Sequence, residues 1–189
     1  MNDGKICVSV CAATADELIE QIKRADEWAD IVEIRFDLLT FDELNVFLNL
    51  LSELKSEMKA PILAAMHKSV EKHSIGEYLI PNNFPVWEKI LASESIDYFD
   101  PFQGGITALL IEDWDNSENR AEHLKVFFEN AQKLIFIFSH HDFDKVPPDL
   151  KDIYERMKTT PANIIKIAVQ TNDITDTISI WKLQWGRFL

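Results

Sequence analysis

The chain has 189 residues, 47% of them hydrophobic, which is enough for one sizeable core and near the upper size of an ordinary single domain. A formal charge of -13 at pH 7 argues against partners with a nucleic-acid backbone or an anionic membrane surface, while a locally basic pocket for a small anion stays open. The two cysteines, Cys7 and Cys11, make neither a disulfide framework nor a metal signature and read as reduced core thiols near the end of the first strand. No long apolar segment stands behind Met1-Asn2-Asp3-Gly4-Lys5, so no signal peptide or membrane span is expected and the cytoplasm is the expected compartment.

Ile6-Cys7-Val8-Ser9-Val10 is a short β run. Thr14-Ala15-Asp16-Glu17 has the form of a capping box, and Leu18, Ile22, Ala25 and Trp28 follow at helical spacing. Ile31 to Leu38 reads as the second strand. A second capping box, Thr40-Phe41-Asp42-Glu43, opens a helix carrying Leu44, Phe47, Leu48, Leu51 and Leu54. Pro61 to Met66 is the third strand, and a loop with Gly76, Pro81 and Pro85 leads to a short helix around Trp87, Ile90 and Leu91. Asp97 to Asp100 is the fourth strand, broken by Gly104-Gly105, and helices are expected at Ile106 to Glu112 and Ala121 to Ala131. Leu134 to Phe138 is the fifth strand. Pro147-Pro148 introduces a helix with Leu150, Ile153, Tyr154 and Met157, since proline suits a first turn. Asn163 to Val169 is the sixth strand. This alternation from start to finish predicts a parallel sheet of βαβ units, with no repeat and no linker long enough to divide 1–189 into domains.

In such folds reactive groups gather toward the C-terminal ends of the strands, and unusual polar residues stand there. In the sixth strand, period-two spacing puts Ile165, Ile167 and Val169 on one face and Lys166 between Ile164 and Ala168 on the other. Among carbon side chains, desolvation would disfavour its ammonium and suit it to Schiff-base chemistry; alternatively, Lys166 snorkels to water. In the second strand Glu33, Arg35 and Asp37 alternate with apolar residues, which predicts an internally paired polar trio on one face. The fifth strand runs into Ser139-His140-His141-Asp142-Phe143. Its tandem histidines suit metal ligation, acid/base work, or one functional residue beside one packing residue; metal is disfavoured because adjacent strand residues diverge and no spaced third ligand is evident. Glu71, after the third strand, either orients such a histidine or is a solvated loop acid.

Glu33-Ile34-Arg35-Phe36-Asp37, Asp97-Tyr98-Phe99-Asp100, Ser139-His140-His141-Asp142-Phe143 and Ile165-Lys166-Ile167-Ala168-Val169, in this order, resemble type I 3-dehydroquinate dehydratase, a Schiff-base enzyme of the shikimate pathway built on a TIM barrel. The resemblance covers roughly Ile6 to Asp176. It implies that Lys166 forms the Schiff base, that His141 transfers protons and that Glu71 orients His141. Glu33 and Arg35, with His67, would bind on the substrate side, and Asp37, Asp100 and Ser139 would support them. The implied reaction is loss of water from the small-molecule substrate 3-dehydroquinate, with no metal or organic cofactor because the protonated imine supplies the electrophile.

The chain departs from the family pattern in three places. His67 stands where the family usually has an arginine, and Glu71 is followed by Lys72-His73 instead of two glycines. Phe102 replaces an acid two residues beyond Asp100. A complete barrel has eight strands and roughly 250 residues, whereas six strands are recognisable here, with the last two missing or replaced and Arg187 as a stand-in cation supported only by its charge. An open six-strand sheet has two unpaired edges, which predicts a homo-oligomer or a covering tail. The readings weighed are a working dehydratase, an impaired relative kept for binding or structure, and an aldolase-like Schiff-base lyase.

Overall fold

The β runs and amphipathic helices of the sequence form a single parallel sheet of six strands, in sequential order, curled as a half-barrel with helices on one side. The computed structural model describes residues 4–66, 84–100, 133–160 and 162–185. The strands are β1 (Cys7–Val10), β2 (Ile31–Arg35), β3 (Ile62–Ala65), β4 (Tyr98–Asp100), β5 (Ile135–Asp142) and β6 (Ile164–Val169). The helices are α1 (Ala15–Asp26), α2 (Phe41–Glu57), α3 (Phe84–Ala92), α4 (Leu150–Lys158) and α5 (Thr177–Trp185). The helices expected at 106–112 and 121–131 lie outside the described residues, as do His67, Glu71, Phe102 and Arg187.

The register sorts side chains into two layers. Partners in a parallel pair project to the same side, so Val8, Val32, Ile62, Phe99, Phe136 and Ile165 belong to the outer face. That face is the core: it packs on Leu18 and Ile22 of α1, Phe47 and Leu51 of α2, and Trp87 and Ile90 of α3. Edge-on ring contacts link Trp87 to Phe99 at 4.4 Å and Phe99 to Phe136 at 5.7 Å. Burial of each such side chain contributes about 1.5–3 kcal/mol. The inner face carries Ser9, Glu33, Arg35, Leu63, Ala65, Tyr98, Asp100, Ile137, Ser139, His141 and Lys166.

Local chemistry sets the helix starts, with two departures from expectation. Thr14 and Thr40 accept hydrogen bonds from the Glu17 and Glu43 amides, as capping residues should. Glu43 does not fold back on its own cap; it accepts from the Ala15 amide at 2.7 Å and so ties the start of α1 to the start of α2. Pro147-Pro148 precede α4 instead of forming its first turn, since Asp149 is the cap residue.

Two expectations change at the sheet's ends. Cys7 and Cys11 are free thiols but exposed, not core: β1, which holds Cys7, ends the described sheet, and Cys11 follows it. The second strand stops at Arg35, and Phe36–Leu38 turn into a 3-10 helix. No helix of the described residues is long and apolar enough to cross a membrane.

Candidate active site

Four strands contribute to one cluster on the inner face. β6 runs beside β5 with Ser139 opposite Lys166 and His141 opposite Ala168, so Lys166, Ser139 and His141 face the same way. From β4, Asp100 accepts a hydrogen bond from the Ser139 hydroxyl through Oδ1 at 2.8 Å and lies 3.5 Å from Lys166 Nζ through Oδ2. From β2, Glu33 Oε1 lies 3.6 Å from the same Nζ. At these distances the two acids form ion pairs with the lysine, longer than well-formed hydrogen bonds. Ser139 and Asp100 are 2% and 1% exposed, so their mutual hydrogen bond is sealed from water.

Lys166 therefore is not set among hydrocarbon, as the apolar run around it suggested. Its side chain is 32% exposed and stands between two carboxylates. The cause is the register: β2 and β4 also project acids onto the inner face, and β6 lies at the end of the sheet. Burial pushes the Asp100 carboxyl above its ordinary range; the Lys166 charge and the Ser139 hydrogen bond pull against that rise, and the Glu33 charge adds to it. Cys7, on the inner face of β1, is exposed at the surface yet close enough to the sheet for partial desolvation, and then the Glu33 charge, to push its thiol up, with Lys166 acting the other way.

The expected trio on the second strand divides. Because the chain turns after Arg35, Asp37 is not a strand residue; Arg35 reaches it with a two-pronged contact, Nε to Oδ1 and Nη2 to Oδ2, both 2.6 Å. Asp37 is fully buried beneath Arg35. Glu33 turns instead to Lys166, across the inner face.

The tandem histidines separate by face. His140 stands opposite Ile167 on the helix side, where burial holds its imidazole below the ordinary value against the charges of Asp142 and Asp149. His141 faces inward, with its ring 5.6 Å from that of Phe143. The described residues thus bring Lys166, His141, Ser139, Asp100 and Glu33 to one face, with Arg35 bonded to Asp37 at the end of β2. A groove of about 1030 Å³ between α4, β6 and α5, lined by Leu150, Tyr154, Ile165, Ser179 and Leu183, is a separate feature that Lys166 does not line. The direct link from Ser139 to Asp100 was missed in the sequence. Its only trace there was a strand-end serine and a strand-end aspartate, whose pairing needs the β4–β5 adjacency.

The model of the family described as type I 3-dehydroquinase matches residues 6–186. The chain belongs to that family. A 3-dehydroquinate dehydratase from Staphylococcus carnosus is 25% identical over 184 residues, covering 94% of this chain and 71% of the relative. The enzyme of that name from Alkaliphilus oremlandii is 27% identical over 184 residues, covering 93% and 66%. Among solved structures, the 3-dehydroquinate dehydratase of Geobacillus kaustophilus superposes with a TM-score of 0.64 at 19% identity, covering 94% of this chain and 66% of that one. That of Aquifex aeolicus gives 0.63 at 22%, covering 94% and 72%. These superpositions show the fold; the chain spans about two thirds to 72% of the length of these dehydroquinase relatives.

Proposed function

We propose that the chain works as a 3-dehydroquinate dehydratase, a lyase converting 3-dehydroquinate to 3-dehydroshikimate through a Schiff base on Lys166. The observation that carries this reading is the inner-face placement of Lys166 beside Ser139, with His141 two residues along β5 on the same face. The Lys166 amine attacks the substrate ketone, and the carbonyl oxygen leaves as water to give an iminium. The iminium draws electrons from the neighbouring C–H bond, and His141 removes that proton as general base. The enamine then expels the hydroxyl, which takes a proton from the same imidazole and departs as water. Hydrolysis of the product imine frees Lys166. Glu71 is proposed to orient His141, and His67, Glu33 and Arg35 to bind on the substrate side. Asp37 supports Arg35, and Asp100 with Ser139 supports the lysine. None of these steps calls on a metal or an organic cofactor. The same reading takes β1 and β6, the two ends of the described sheet, as edges covered in a homo-oligomer, which light scattering tests: a stable monomer would remove that part.

A second reading, a relative that forms the imine without completing turnover, is favoured by one observation. The two inner-face cations of the described strands, Arg35 and Lys166, are already paired with Asp37, Glu33 and Asp100, so neither stands ready for a substrate carboxylate. Incubation with 3-dehydroquinate and borohydride, followed by intact mass and peptide mapping, separates the readings. An adduct on Lys166 with prior growth of enone absorbance supports the dehydratase. An adduct without enone supports the second reading, and no adduct defeats both.

A further inference from the structure

Both acids beside Lys166 converge on its nitrogen, and that nitrogen keeps its place when the amine becomes an imine. An imine is an electron sink only while protonated, so whatever holds a proton on that nitrogen controls the chemistry that follows. From the geometry we infer that Asp100, oriented by Ser139, is the counter-ion that keeps the Lys166 imine protonated. The inference rests on the Schiff-base reading above and adds a catalytic role for Asp100 and a positioning role for Ser139.

Three observations single out Asp100 over Glu33. Asp100 sits on central β4 with its side chain 2% exposed, against 11% for Glu33, so its field at Nζ is less screened by water. Its carboxylate cannot turn freely, because the Ser139 hydroxyl donates to Oδ1 at 2.8 Å and leaves Oδ2 aimed at Nζ 3.5 Å away. Among the described residues that buried Oδ2 has no partner besides the Lys166 nitrogen, so it is open to the single N–H of a protonated imine. Among the described residues, the other ionisable groups facing this point are Glu33 on β2, Cys7 on β1 and the lysine itself, with His141 two residues along β5 from Ser139 on the same face. With both acids ionised and one proton-bearing nitrogen, the cluster carries one negative charge in excess, which opposes loss of the iminium proton.

The step is one of proton retention. Condensation forms the C=N bond and releases the carbonyl oxygen as water; the proton left on nitrogen stays while electrons from the neighbouring C–H bond enter the C=N unit. Without the counter-ion, that proton is lost to solvent at lower pH and a neutral imine accumulates, a poor acceptor of electrons.

Two reductants read this directly. Cyanoborohydride reduces protonated imines selectively, whereas borohydride reduces protonated and neutral imines alike. With 3-dehydroquinate as probe, the ratio of cyanoborohydride to borohydride adduct on Lys166 is measured from neutral to alkaline pH. An opposite charge within about 4–6 Å shifts a proton equilibrium by roughly 1–3 units, so Asp100→Asn should lower the ratio at least about tenfold at alkaline pH. Its borohydride adduct should persist while dehydration slows. Ser139→Ala should give a smaller fall in the same direction, and Ser139→Thr, which keeps a hydroxyl, should restore the ratio. If Asp100→Asn does not fold, the Ser139 pair decides alone. An unchanged ratio, or equal loss of both adducts in a folded variant, overturns the counter-ion role while the wild-type adduct leaves the Schiff base standing. No wild-type adduct with either reductant removes the Schiff base and this inference together.

Discussion

Removing Arg35 should cost more stability than removing Asp37, although each change breaks the same contact. Asp37 is fully buried and receives two charge-assisted bonds of 2.6 Å, whereas the Arg35 side chain is 25% exposed. Arg35→Met strands a carboxylate where water cannot reach it, a loss of about 3–5 kcal/mol. Asp37→Asn leaves an amide that still accepts one bond, and the guanidinium can turn its freed N–H groups to solvent, so the loss is about 1–3 kcal/mol. With both charges gone, as in Arg35→Met/Asp37→Asn, no ion is left buried, and the double variant should be less damaged than Arg35→Met alone. Urea unfolding of the four proteins gives the cycle, provided the slopes agree. The reasoning fails if Asp37→Asn costs more than Arg35→Met, or if the double variant costs the sum of its parts.

Lys166→Ala should abolish the borohydride adduct, read by intact mass, because no other inner-face amine stands on the described strands. His141→Ala should slow enone formation by about 10²–10⁴-fold and leave the imine trappable, whereas His140→Leu, changed on the opposite face, should stay within a few-fold of wild type in the same assay. Burial holds His140 below its unfolded value of about 6.5, so below that pH the unfolded chain gains a proton that the folded chain resists. Stability is therefore lost as pH falls from there through the folded value, and His140→Leu should flatten that slope in urea titrations at several pH values. Asp100 has the opposite sign. Its folded carboxyl is raised, so its protonated form contributes stability that is complete below about 3.9 and lost as pH rises through the folded value. Asp100→Asn should gain on wild type across that window, and a widening deficit would contradict the assignment.

The alternation of strands and helices was legible because a strand buried on its outer face reads as Val, Ile and Phe at period two, and the helices show their buried stripe at period 3.6. Strand ends were less so. The Glu33, Arg35 and Asp37 alternation looks like continued strand, yet the chain turns at Phe36, where a fully buried ring at 5.8 Å from Phe47 outweighs extension of the ladder. The environment of Lys166, left between an apolar slot and open water, was not legible for a different reason. Its sequence neighbours Ile165 and Ile167 point away from it, and its charged neighbours come from β2 and β4, more than 60 residues earlier. Flanking residues on a strand describe the opposite face, so an apolar run says little about the surroundings of the polar residue within it.

Exposure across the sheet gives the cluster a direction. β3 is buried throughout and β6 not at any position, and the three charged members follow that gradient: Asp100 on β4 is 1% exposed, Glu33 on β2 8%, while the Lys166 side chain on end strand β6 is 32% exposed. The acids are thus fixed by the interior and the amine by the margin. Whatever lies along the free side of β6 controls how much water reaches Nζ, and with it the strength of both ion pairs, since their attraction grows as the effective dielectric falls. An assembly that covers that edge would couple to the chemistry proposed for Lys166. If β6 is covered in an oligomer, dilution that separates subunits should weaken imine trapping on Lys166 along with any loss of mass in light scattering. Trapping that stays constant while the mass falls would show that the amine's surroundings are complete within one chain.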